Sequence, residues 1–125
     1  MNKEVLSLIA TLMKSLGIRY SFLRYNAEDS GTEYPYFVGE YIENPEANED
    51  GHMACDFILN GFTRGSWLSL EEVKTTVADY FRCYRTLTDN YGVSITYESA
   101  YPVPQEDEEL KSIEITLTVH VWRKD

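Results

Sequence analysis

The sequence predicts an α+β fold in which the order α-β-β-β-α-β-β builds an antiparallel or mixed sheet with helices packed on one face. Three observations predict it. Two segments repeat their apolar residues at helical spacing, whereas five alternate apolar with polar residues. The alternating segments each offer one apolar and one polar face, as strands of a sheet covered on one side do. Finally, 125 residues with 43% hydrophobic content suffice for one core, so residues 1–125 are expected as a single domain.

The first helix follows from Val5, Leu8, Ile9, Leu12, Met13 and Leu16, which fall on one stripe. Asn2 suits its N-cap, and Gly17 stands where a left-handed C-terminal residue is wanted. Ile18, Tyr20 and Phe22 then alternate with polar residues and predict a short strand. A polar loop, Asn26 to Glu33, leads past Pro35 into a second strand, Tyr36 to Glu43. An acidic connection, Asn44 to Gly51, precedes a third strand over His52 to Thr63, with Met53, Cys55, Phe57 and Leu59 facing one way.

Ser69-Leu70-Glu71-Glu72 reads as a capping box, opening a helix from Leu70 to Arg85 whose stripe is Leu70, Val73, Val77, Phe81 and Tyr84. Val93, Ile95, Tyr97 and Tyr101 predict the next strand. After a loop from Pro102 to Glu109, Ile113, Ile115, Leu117, Val119 and Val121 alternate without a break.

Composition excludes several functions. With 21 Asp+Glu against 11 Lys+Arg, the net charge of −10 disfavours a phosphate-binding face. The 14% aromatic content disfavours a disordered acidic chain. Met1 to Gly17 contains no apolar run that suits a signal peptide or membrane helix, so no membrane partner is expected. Cys55 and Cys83 share no motif spacing and are read as reduced, mostly buried thiols of a cytoplasmic protein.

Catalytic and metal chemistry find little support. The stretch from Asn44 fails as a calcium loop, because Glu49 stands where Gly is required and Cys55 where the bidentate Glu belongs. His52, Cys55, Cys83 and His120 complete a zinc tetrahedron only on paper, since Cys83 falls in the expected helix and His120 on the polar face of the last strand. The acidic runs Glu49-Asp50 and Glu106–Glu109 read as solvated loops, and the glycines are scattered rather than gathered around a phosphate. No enzyme activity, cofactor or metal is expected.

The aromatic residues point elsewhere. A small core does not hide 17 of them, and Tyr and Trp are enriched where subunits meet. Tyr34, Tyr36 and Tyr41 crowd the second strand, Trp67 precedes the second helix, and Trp122 faces away from the apolar side of its strand. These five form the expected subunit interface.

The layout over nearly the whole chain resembles the tail-terminator (tail completion, or minor tail) proteins of long-tailed bacteriophages. The resemblance rests on the opening amphipathic helix, on Glu33-Tyr34-Pro35-Tyr36-Phe37-Val38, and on Ala54-Cys55-Asp56-Phe57-Ile58-Leu59 running into Gly65-Ser66-Trp67. It continues through the helix from Leu70 to the final strand, Ile113 to Trp122; Glu106–Glu109 has no counterpart in the pattern. The resemblance implies a hexameric ring that caps the tail-tube protein and meets the head connector, in the virion tail and, during assembly, in the host bacterial cytoplasm. DNA passes through such a ring without specific binding. Glu43, Glu46, Glu49 and Asp50, within a stretch from Arg24 to Arg64 that has nine acids and no intervening Lys or Arg, are then expected to line the lumen and repel phosphates. The alternative is an acidic DNA mimic that occupies the basic groove of a nuclease or DNA-binding regulator. A ligand-binding regulatory domain ranks below both, for want of a pocket signature.

Overall fold

A computed structural model describes residues 1–23, 34–44 and 52–124. In chain order it contains α1 (Lys3–Ser15), β1 (Tyr20–Phe22), β2 (Tyr36–Asn44), β3 (His52–Thr63), α2 (Trp67–Tyr80), β4 (Tyr84–Leu87), β5 (Tyr91–Val103) and β6 (Lys111–Arg123).

Local chemistry defines α1 at both ends. The Asn2 side chain accepts from the Val5 N–H at 3.1 Å, and the chain leaves through Gly17 at φ 74°, a conformation glycine adopts without a Cβ penalty. Val5, Ile9, Leu12 and Met13 are its buried face.

The strands form one sheet in the order β1-β2-β3-β6-β5-β4. Among the described residues only β1 and β2 run parallel, and the other pairs are antiparallel. Half of the described residues lie in strands and a quarter in helices, and the sheet curls into a half-barrel. This corrects the expected α+β layering with helices packed on one face. The curl has local causes. Gly39 and Gly61 leave room for rings to lie against the backbone, Phe57 and Tyr20 over the first and Phe37 over the second. A bulge between Tyr97 and Ser99 sharpens the twist of β5 against β6. Val5, Ile9 and Met13 of α1 and Leu70, Val77 and Phe81 of α2 join Phe37, Phe57, Leu59, Ile95, Ile115, Leu117 and Val119 in one apolar cluster.

Three further expectations change. The second helix starts at Trp67, with Ser66 as its N-cap: its side chain accepts from the Leu68 N–H at 3.1 Å. Ser69 sits inside the first turn and donates its hydroxyl to the Ser66 carbonyl at 2.8 Å, so the Ser69–Glu72 capping box does not form. The helix also ends at Tyr80 rather than Arg85. Residues 84–87 form β4, a sixth strand, because pairing with β5 satisfies their backbone and places Tyr84 and Thr86 inward. Phe81 and Tyr84, spaced like one helical stripe, belong to different elements. Lastly, the bulge turns Tyr101 to the outer face opposite Glu114, to which its hydroxyl is hydrogen-bonded.

Candidate functional site

The surface that stands out is the outer, convex side of the sheet. Register puts His52 directly opposite Trp122 across β3 and β6, and His120 opposite Ala54. The chain's two histidines are therefore diagonal neighbours, and His52 Nε2 lies 2.8 Å from His120 Nδ1. Their ring planes agree within 7° with centroids 5.0 Å apart, so the two nitrogens meet head-on. Trp122 stacks with His52 at 4.9 Å and with His120 at 5.8 Å.

This arrangement accepts a proton and not a metal. A cation needs about 2.0–2.1 Å to each imidazole nitrogen, and half of the 2.8 Å gap is only 1.4 Å. A shared N–H fits, provided one nitrogen keeps its lone pair. Burial and the neighbouring His52 hold the His120 pKa below its ordinary value. The paper tetrahedron falls apart in space: Cys55 is buried on the inner side, its thiol pKa raised by burial, while Cys83 is exposed beyond the end of α2. The expectation of two mostly buried thiols thus holds for Cys55 alone. Among the described residues, no group of three or more His, Cys, Asp or Glu side chains is placed to hold a metal ion.

Beside the histidine pair, Leu87 of β4 and Trp122 flank Gly92, leaving a shallow recess that Arg85 and Ser94 also line. Leu87 is 69% exposed and Trp122 45%, an unusual outlay of apolar surface on a small chain. Across the rest of this face stand Glu40, Asp56, Glu98 and Glu114. Glu40 meets Asn60 at 3.5 Å, Glu98 accepts from Thr118 at 3.2 Å, and Glu114 is bonded to Tyr101.

The residues expected at a subunit interface are distributed unequally. Trp122 is exposed on the outer face. Tyr36 is buried against Tyr34 and Phe62 at ring distances of 6.1 and 5.7 Å. Tyr41 stacks with Phe22 at 6.0 Å, and Trp67 is half-buried against the core, its indole N–H donating to Glu71 at 3.1 Å. Of the acids expected to line a lumen, Glu43 is exposed near the end of β2 and paired with the Met1 amino group. Glu46, Glu49 and Asp50 lie outside the described residues.

Sequence reasoning did not anticipate the His52–His120–Trp122 cluster, because it requires knowing that β3 pairs with β6. The available signal was parity: all three residues fall on the polar side of their alternating strands. Among the described residues, no helix is long and apolar enough to cross a membrane. No known protein family and no curated protein matches the chain in sequence.

Proposed function

We propose that the chain is a structural subunit of a long-tailed phage or prophage virion, a tail terminator that closes into a hexameric ring between the tail-tube protein and the head connector. The observation that carries this reading is a curled sheet whose end strands among the described residues are β1 and β4, with Leu87, Trp122 and Ile42 exposed on it. Open edges template pairing with another chain, and a head-to-tail contact repeated by rotation closes a ring. The layout resemblance supplies the biological setting. In this reading Glu43, Glu46, Glu49 and Asp50 face the lumen, where like charge keeps passing DNA from adhering. A ring with all four on its outer rim overturns that part.

One observation favours a second reading. Glu40, Asp56, Glu98 and Glu114 spread carboxylates over the outer face, as a DNA mimic requires. Size-exclusion chromatography with light scattering, run over a wide concentration range, separates the two. The terminator assembles with rising concentration, whereas a mimic stays a monomer or dimer and binds a basic enzyme.

A further inference from the structure

The indole of Trp122 has one face stacked and one bare. His52 stands directly opposite it on β3, and the two rings stack at 4.9 Å, within 16° of parallel. Neighbouring strands are themselves about 4.8 Å apart, so a stack this close turns the face of each ring towards the adjoining strand. The second face of the indole therefore looks over β5, where the residue directly opposite Trp122 is Gly92. With no side chain at that position, Trp122 stays 45% exposed despite its stacked neighbours. Beyond Gly92 in the same row stands Leu87 of β4, itself 69% exposed. Across the sheet the row runs His52, Trp122, a gap one strand wide, and Leu87.

Packing does not require that gap. At Gly39 and Gly61 buried rings occupy the place of a Cβ, whereas at Gly92 the nearest atoms are Leu87 Cδ2 at 3.7 Å and the Trp122 carbonyl oxygen at 4.0 Å, ordinary contact distances. The backbone makes no demand either, because Gly92 lies outside the left-handed region. A glycine within a strand weakens it and often marks a close approach by another group. What this position supplies is room for a side chain from elsewhere.

One end of the slot is cationic. Arg85 and its partner Ser94 lie two residues along from Leu87 and Gly92 on the same face, and both line the recess. Arg85 is exposed and forms no ion pair among the described residues, although the chain carries a net charge of −10. Among the described residues lining the recess there is no carboxylate.

We propose that this slot takes an aromatic side chain of a partner protein, standing over Gly92 between Trp122 and Leu87, with a carboxylate beside it in the partner's sequence held by Arg85. The ring continues the His52–Trp122 stack, and the carboxylate gives the guanidinium its counter-charge. Only side chains of the outer face take part, so the inference goes beyond the ring reading and does not depend on it.

The test uses the full chain in a Trp67→Phe background, where emission reports Trp122 alone. The probe is a five-residue peptide, capped at both ends, with phenylalanine at its centre and aspartate on either side. It is expected to shift Trp122 emission saturably. Replacing the phenylalanine by alanine, or both aspartates by asparagine, should weaken binding about tenfold or more. Gly92→Val fills the slot with a residue that suits a strand, so binding is lost while the thermal midpoint holds or rises. Arg85→Gln should weaken binding of the aspartate peptide about tenfold and remove its advantage over the asparagine peptide. Circular dichroism confirms that both variants fold. No saturable shift, equal affinity for all three peptides, or G92V and R85Q proteins that bind like the parent overturns the proposal. A second copy in the slot shows as Trp122 emission that changes with protein concentration alone and ceases to do so in G92V, which overturns the assignment to a partner protein.

Discussion

Substituting Gly61 by alanine tests the packing that curls the sheet. A Cβ at Gly61 stands 2.2 Å from Phe37 Cε2, 2.5 Å from Cζ and 2.7 Å from Cδ2. Phe37 is the register partner of Gly61 across β2 and β3 and is fully buried, so its ring has no solvent to swing into. Reaching ordinary contact requires the ring or the β2 backbone to retreat by about an ångström, and overpacking of this kind costs about 1–3 kcal/mol. Alanine recovers part of this by restricting the unfolded chain, leaving a net loss of about 2 kcal/mol. For a domain of this length that lowers Tm by about 6–12 °C. Urea unfolding should show a lower midpoint at unchanged slope. Trimming the obstructing ring with Phe37→Leu is itself destabilising, yet G61A/F37L should be more stable than the sum of the two losses by about 1 kcal/mol or more. A G61A protein within about 0.5 kcal/mol of the parent, or strictly additive losses, refutes the argument.

Other outcomes follow from single contacts. Ser66→Ala should cost about 1 kcal/mol by removing the N-cap of α2, and Ser69→Ala distinctly less; equal losses in thermal unfolding would contradict the assigned helix start. The Tyr20 hydroxyl is buried without a hydrogen-bond partner among the described residues, and burial pushes its pKa up to about 12. Tyr20→Phe should therefore leave stability unchanged or raise it by up to about 1 kcal/mol, measured as the urea midpoint. Because His120 titrates below its ordinary value of 6.5 in the folded chain, the unfolded chain binds more protons in that window. Stability should be full above about pH 6.5 and fall as the pH drops through the folded value, a loss that His120→Asn should reduce. In a Trp67→Phe background, Trp122 emission should follow the same titration, since its indole stacks on both imidazoles.

Elements whose neighbours are local were legible in the sequence. α1 carries its stripe, its Asn2 cap and its Gly17 exit within one stretch of chain. β3 and β6 announce themselves by unbroken alternation, and their inward sets, with Cys55, Phe57 and Leu59 facing Ile115, Leu117 and Val119, are the core. What failed was decided by distant partners. Residues 84–87 lie on an extrapolated helical stripe, yet β5 offers them a ladder and the sheet takes them. The position of Tyr101 depends on a bulge, which shifts parity by one and reverses every side chain beyond it. The candidate site was the least legible part. His52 and Trp122 are 70 positions apart in sequence and meet only through the β3–β6 register. Trp122 faces outward, as its place on the polar side of its strand implies, whereas Tyr36 is packed against Phe62.

Direct observation of the assembled particle bears most heavily on the central claim, that this chain acts by joining copies of itself into a ring. Native mass spectrometry of the concentrated protein should show a dominant species of about 87 kDa, six copies of the 14.5-kDa chain, and negative-stain images of the same sample should show a closed ring with an axial opening. A 14.5-kDa species that persists at every concentration, or open filaments of indefinite length, would contradict it.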